Sequence, residues 1–298
     1  MADDDDSLES TRMSLGDHLE ELRKRLVKSA VVLAVAFGIA WWQSEPIAAQ
    51  VLWPWTRAVT LINADLVAEA EAHLLAHPER PRSELFMSDD PANQQLRNAI
   101  DPRPNMFGIG DAFFFQLNNA IYFALFFGSP YVLWQMWQFV AAGLYRHEKR
   151  AVSLYFPFSA LLFLVGVLFC YFLVVPIGMY ALGTSLSIEL VKPMIGIDQY
   201  FSFLSTMCLA MGLVFQIPIV MVFLARFGLV EPATYARMRG HFLVGALLLA
   251  AIVTPGPDYY SQILMTVPMV VLYEIGIFIA KRSARSRRHP PRAARRSS

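Results

Sequence analysis

Charge is what this sequence has least of: Asp, Glu, Lys and Arg together make up 16% of its 298 residues. An ordinary soluble domain carries about a quarter. With apolar residues at 56% and a mean hydropathy of +0.42, this scarcity excludes a water-soluble globular class and points to a membrane. Cysteine is almost absent. Cys170 and Cys208 are the only two; both sit inside apolar runs and read as small buried hydrophobes. That excludes a disulfide framework, a cysteine metal site and a redox pair. A cleavable leader is also missing from the reading. Met1 to Ser10 is acidic, and the first apolar run starts near Leu26, behind Arg23-Lys24-Arg25. This is the pattern of an uncleaved first membrane helix whose amino end stays inside. No internal repeat is visible.

What the sequence has instead is six apolar runs, over 26–42, 113–133, 154–182, 203–225, 242–254 and 259–280. Crossing a hydrocarbon core takes about 20 helical residues at 1.5 Å each. The reading is therefore an all-α polytopic membrane protein with six transmembrane helices, the last two short. The second run is less clean, because Gln116, Asn118 and Asn119 interrupt its start and turn that end toward protein or water. The fifth run gives only about 20 Å of helix. Thr254-Pro255-Gly256-Pro257-Asp258 then forces a tight turn into the sixth. So short a hairpin implies a locally thinned bilayer or shielding by a partner.

Orientation follows from the bases. One side holds the amino end, the 134–153 and 226–241 loops and the tail, with 19 of the 25 Lys and Arg. The positive-inside rule puts that side in the cytoplasm, N-in and C-in. The domain reading is thus a cytoplasmic segment 1–25, a membrane domain 26–280 with a long outer loop 43–112, and a basic, disordered tail 281–298. Within the outer loop, 64–77 has helical composition, with Glu69, His73 and His77 on one face. That spacing could hold a metal, but no motif supports one, and the reading is a solvated amphipathic helix. No metal site is assigned.

Particular residues then carry a resemblance. His18-Leu19-Glu20-Glu21-Leu22-Arg23-Lys24-Arg25-Leu26 resembles the amino-terminal signature of the TatC family of twin-arginine protein translocases. Trp134 to Phe139 and Gly143 to Arg150 resemble its first cytoplasmic loop. Phe215-Gln216-Ile217-Pro218, Thr254-Pro255 to Asp258 with Ser261-Gln262, Pro268-Met269 and Tyr273-Glu274-Ile275-Gly276 follow in family order. There are departures. An insertion of about forty residues lies between Pro54 and Phe113. Ala142 stands where the family usually has proline, Gln216 replaces a glutamate of some members, and the last outer turn is one residue longer.

The resemblance implies a receptor for signal peptides with adjacent arginines, carried by proteins exported already folded, with the proton-motive force as energy source. It implies no catalytic chemistry and no cofactor. Two guanidiniums call for carboxylates that match their forked donors, and the implied residues are Glu21 and Glu148. Taken alone, Glu21 also reads as an i,i+4 partner of Arg25, and Glu148 as a solvated neighbour of Lys149. Arg23, Phe139, Leu144 and Tyr145 would shape the same site, the apolar ones also being suited to interfacial anchoring. Inside the membrane, Gln216 and Glu274 are the expensive groups. Gln216 resembles a position facing substrate or a partner helix, and an interhelical hydrogen bond is the competing reading. Thr254, Asp258 and Gln262 lie by the outer turn, where the family contacts single-span partners; Pro54 reads as a structural kink or cap.

Expected partners are TatA- and TatB-like single-span subunits, further copies of this chain, and membrane lipid. The tail's position after a helix favours anionic lipid over nucleic acid. The implied location is a bacterial inner membrane. A transporter reading lacks repeated halves. An intramembrane protease would need His241 near Asp258 and Ser261, which the topology puts at opposite membrane surfaces.

Overall fold

The computed structural model describes residues 15–76, 101, 103–143, 146–184, 196–254 and 259–288. Among them there is no strand. The one extended pairing is an isolated bridge in which Ile197 N–H donates to the Asn105 carbonyl at 2.9 Å.

α1 (Leu15–Trp42) starts eleven residues ahead of the apolar run, because Leu, Glu, Lys and Arg at its beginning are good helix formers. α2 (Ser44–Val51) and α3 (Trp53–Ala76) occupy the first half of the segment read as an outer loop. Pro54 stands at the second position of α3 and is fully buried. A missing N–H has no intrahelical partner to lose there. The line Glu69, His73, His77 falls outside the described side chains. α4 (Asp111–Ala142) opens on Asp111, whose Oδ2 accepts the backbone N–H of Phe107 and Gly108 at 2.7 Å each.

α5 (Arg146–Phe169), a five-residue π segment (Cys170–Val174) and α6 (Val175–Thr184) form one rod. The wide turn comes just ahead of Pro176, whose ring leaves the Phe172 carbonyl without its usual donor. α7 (Ile197–Val214) and α8 (Ile217–Arg226) are separated at Phe215 and Gln216 for the same reason. Pro218 cannot donate to Val214, so the ladder stops and restarts. α9 (Pro232–Arg237), α10 (Arg239–Val253) and α11 (Tyr259–Arg288) complete the chain. α11 continues past Lys281 into the stretch read as a tail.

Among the described residues four segments are long and apolar enough to cross a membrane: Gly16–Trp42, Tyr155–Thr184, Ile197–Arg226 and Gln262–Ser283. α4 has 32 residues, and its amides dilute its hydropathy. α10 has 15 residues and spans about 22 Å. Burial ranks the segments: 56% of the 197–226 window is inside the protein, against 11% of that in α1. The α7–α8 pair is therefore the central post and α1 an outer one, lying along α4.

The main core is thioether-rich. Met207 and Met211 of α7 meet Met265 and Met269 of α11, all at most 1% exposed, beside Trp55 and Tyr200. Unbranched methionines fill the irregular gaps left by helices broken at proline. The outer helices are tied down by side chains. Tyr171 and Tyr200 hydroxyls donate to the Gln50 and Val51 carbonyls at the end of α2. Gln116 donates to Ser44 Oγ at 3.0 Å, and the Tyr180 hydroxyl donates to Asp65.

Candidate functional site

His18, Glu21 and Arg25 fall on one face of α1, three and four residues apart. That face lies on the far end of α4. The His18 ring stacks on Phe139, centroids 4.4 Å apart. Arg25 is the joint: Nε donates to Glu21 Oε1 at 2.7 Å, Nη2 contacts the same oxygen, and Nη1 donates to Gln135 Oε1 at 3.0 Å. Gln135 is only 5% exposed, so its carbonyl needs this donor; an unpaired buried acceptor costs roughly 1–3 kcal/mol. The Arg25 and Glu21 side chains are about four-fifths buried, at 22% and 20% exposure. By contrast Glu20 and Lys24, at 2.9 Å, form a pair of about 60% exposure, a geometry of small energetic weight. Arg23 points away from this face and is exposed.

Leu144 and Tyr145 lie outside the described residues. Glu148 belongs to the first turn of α5, which starts four residues after α4 ends; its side chain is outside the described part. The backbone thus brings the helix bearing Glu148 to the end of α4 that Glu21, Arg25 and His18 cover.

Gln216 and Glu274, the polar residues expected at membrane depth, each have a partner in another helix. Gln216 is 9% exposed. Its Nε2 donates to the Ser159 carbonyl at 3.1 Å while the Ser159 hydroxyl donates to its Oε1. Both ends of the amide are used, and they clamp the α7–α8 break to α5. Glu274 accepts a two-pronged contact from Arg239, Nε to Oε1 at 2.6 Å and Nη2 to Oε2 at 2.8 Å. That fork joins α10 to α11, with Phe242 stacked on Tyr273 at 3.9 Å beside it. The Glu274 side chain is 45% exposed, so it is not buried within the helix bundle. At the other end of this hairpin, Thr254 donates to the Ala250 carbonyl at 2.8 Å and Gln262 Nε2 to the Leu247 carbonyl at 3.0 Å. Asp258 lies outside the described residues.

Sequence reasoning passed over His18, Gln135 and Ser159. Each is a single polar or ring side chain whose partner lies on another helix, a signal that becomes specific only when two helices are known to touch. Among the described residues no cluster of three or more His, Cys, Asp or Glu could hold a metal ion.

Residues 17–268 match the family of Sec-independent protein translocase proteins, TatC. The chain belongs to the TatC family. Its relatives include TatCy of Bacillus subtilis, 31% identical over 92% of this chain and 91% of that one. The TatC of Aquifex aeolicus is 31% identical over 94% of this chain and 100% of its own, and that of Escherichia coli 29% identical over 92% and 90%. A crystal structure of the twin-arginine translocase receptor TatC in a detergent, 28% identical, superposes with a TM-score of 0.65 over 88% of this chain and 99% of that one. As a TatC-family chain, this is a component of a membrane protein translocase and not an enzyme, and it works in a complex with other subunits.

Proposed function

We propose that the face built by α1, the end of α4 and the start of α5 is the receptor surface for a signal peptide with two adjacent arginines. Glu21 and Glu148 take the guanidiniums, Phe139, Leu144 and Tyr145 meet the neighbouring apolar residues, and Arg23 helps orient the peptide. One observation carries the reading: Glu21 already holds a guanidinium, that of Arg25, in a semi-buried setting. An incoming arginine finds a carboxylate oriented for forked donors, and it can replace Arg25 or share its acceptor. An ammonium, a compact point charge, fits the same place less well.

The reading includes six crossings with both ends in the cytoplasm of a bacterial inner membrane, TatA- and TatB-like single-span partners, and further copies of this chain. The proton-motive force drives transport. Support comes from the base distribution and from family membership. In this assembly the Thr254, Asp258 and Gln262 end of the hairpin contacts the single-span subunits; Gln216 and Glu274 stay with their internal partners, Ser159 and Arg239.

The test is photocrosslinking from positions 21 and 148 in inverted membrane vesicles, using a twin-arginine signal peptide and its twin-lysine counterpart. Adducts several-fold stronger with the arginine peptide are expected. Equal labelling by both would overturn the charge-fork reading.

A further inference from the structure

The stretch from Pro104 to Gly110, just ahead of α4, contains no charged side chain. It exposes bulk instead. Met106 and Phe107 are more than half exposed and Ile109 fully so, and Phe113 and Phe114, in the first turn of α4, are also more than half exposed. Scattered apolar residues on a surface need no explanation, but a group of this size marks a face that meets something other than water. Charge returns only at the flanks. Arg103 is paired with Asp101 at 3.2 Å, and Asp111 is turned inward on the main chain.

That inward turn gives the segment its shape. Asp111 Oδ2 takes the N–H groups of Phe107 and Gly108, and the Asp111 N–H donates to the Gly108 carbonyl at 3.2 Å. The Gly110 carbonyl takes the N–H of Phe114, and the Asn105 carbonyl that of Ile197, the first residue of α7. A β-carbon at position 108 would stand 2.5 Å from Asp111 Oδ1, so only glycine fits there. The Phe107 ring lies against Gly196, 3.1 Å from where a β-carbon would be. With these main-chain groups paired, taking the turn out of bulk water costs far less.

Its depth follows from α1. The apolar run of that helix ends on Trp41 and Trp42, and tryptophans gather at the boundary between hydrocarbon and headgroups. Trp42 is 86% exposed, and the Trp41 ring meets that of Phe113 edge-on at 6.0 Å. The turn stands about one helical turn, roughly 5 Å, from Phe113. It is therefore at the membrane boundary, and through Trp41 it joins the surface of α1 that carries the exposed stripe Val31, Val35 and Ile39. A folded partner would need a groove to match a protruding tip, whereas lipid deforms around one.

We propose that the Met106–Ile109 turn is a lipid anchor. In the leaflet where α1 ends, Phe107 and Ile109 sink past the phosphates of the phospholipids into the upper acyl region, and Asp111 keeps the turn in shape. The inference rests on the placement of α1 and α4 in the membrane, and it is independent of the carboxylate pair at the inner face.

The test uses full-length chains carrying Ile109→Cys or Arg103→Cys, nitroxide-labelled and reconstituted in phosphatidylethanolamine–phosphatidylglycerol vesicles. The unaltered chain, treated in parallel, supplies the blank for Cys170 and Cys208. Collisions with oxygen and with a water-soluble nickel chelate report the depth of each label. Position 109 is expected about 5–10 Å below the phosphates, the range of apolar interfacial segments, and position 103 at or above them. Nickel access at 109 equal to that at 103 would put the tip in water and overturn the proposal. Loss of access to both reagents at 109 would put a protein surface on the tip, a second copy or another subunit, and overturn it equally. Asp111→Ala should bring the label at 109 up to the level of position 103; an unchanged depth would overturn the part given to Asp111. If that variant does not fold, the two labels on the chain that keeps Asp111 still decide the anchor. Twin-arginine crosslinks from positions 21 and 148 should be the same with Ile109→Cys, so a failure at the inner face reads out separately.

Discussion

Glu21 meets a guanidinium from its own helix before any peptide arrives. Arg25 is then both a brace, through Gln135, and a competitor. The resident pair is part of what a peptide arginine must displace, and a helical i,i+4 pair of this kind, about one-fifth exposed, is worth about 0.3–1 kcal/mol. Arg25→Gln removes the competitor and keeps an amide donor for Gln135. The twin-arginine peptide is expected to bind about two- to fivefold more tightly to this variant in a fluorescence anisotropy titration. Unchanged or weaker binding would show that Arg25 assists the site. The second residue-scale test is the Gln216 clamp. A double-mutant cycle over Ser159→Ala and Gln216→Ala should return a coupling of about 0.6–1.7 kcal/mol in detergent unfolding. Additive effects would mean that the Ser159 hydroxyl bond to Gln216 carries no stability. The sequence marked Glu21 and Gln216 as residues with work to do. Its spacing also offered Arg25 to Glu21, but it could not name Gln135 as the neighbour of Arg25 or Ser159 as that of Gln216, because these belong to other helices, and helix pairing is written in no local pattern.

Elements divide into those that sequence rules place and those that packing places. The break next to Pro218 follows from a missing donor, although the apolar run over 203–225 reads as one segment. The extra length of α1 and α4, and α2 with most of α3, escaped a reading based on apolar runs because these stretches are polar; α2, for one, is held by Tyr171 and Tyr200 of other helices. Contact between α5 and α7 depends on two glycines that no periodicity singles out. A β-carbon on Gly166 would stand 2.8 Å from the Met211 carbonyl oxygen, and one on Gly212 would stand 2.7 Å from the Phe163 ring. Gly166→Ala must shift backbone against backbone, and a loss of about 1–3 kcal/mol is expected, seen as a lower unfolding midpoint in detergent. Gly245→Ala, with nothing within 4 Å, is the control and should be neutral or slightly stabilising. Equal behaviour of the two would mean that the helices are not in close contact at Gly166.

For the molecule as a whole, composition alone excluded a soluble fold, and the long apolar helices stand where the runs were. The packing of α10 against α11 leaves Leu243, Val244, Leu248 and Ile252 exposed on a helix of only 15 residues. A hydrocarbon core of about 30 Å overhangs that helix by about 8 Å. Reconstitution into lipids of increasing acyl length should raise the mobility of a spin label at Leu248 and lower export, as mismatch strains the hairpin. Mobility independent of chain length would remove bilayer thinning from the account. The tyrosine attachments at the opposite end have a different consequence. Both hydroxyls are received by main-chain carbonyls of α2, which every amino acid supplies. Substitutions at Gln50, and those at Val51 that keep its packing against the core, leave both bonds in place, whereas replacing either tyrosine by phenylalanine removes one bond outright. Tolerance to drift is concentrated on one partner of each bond, and intolerance on the other.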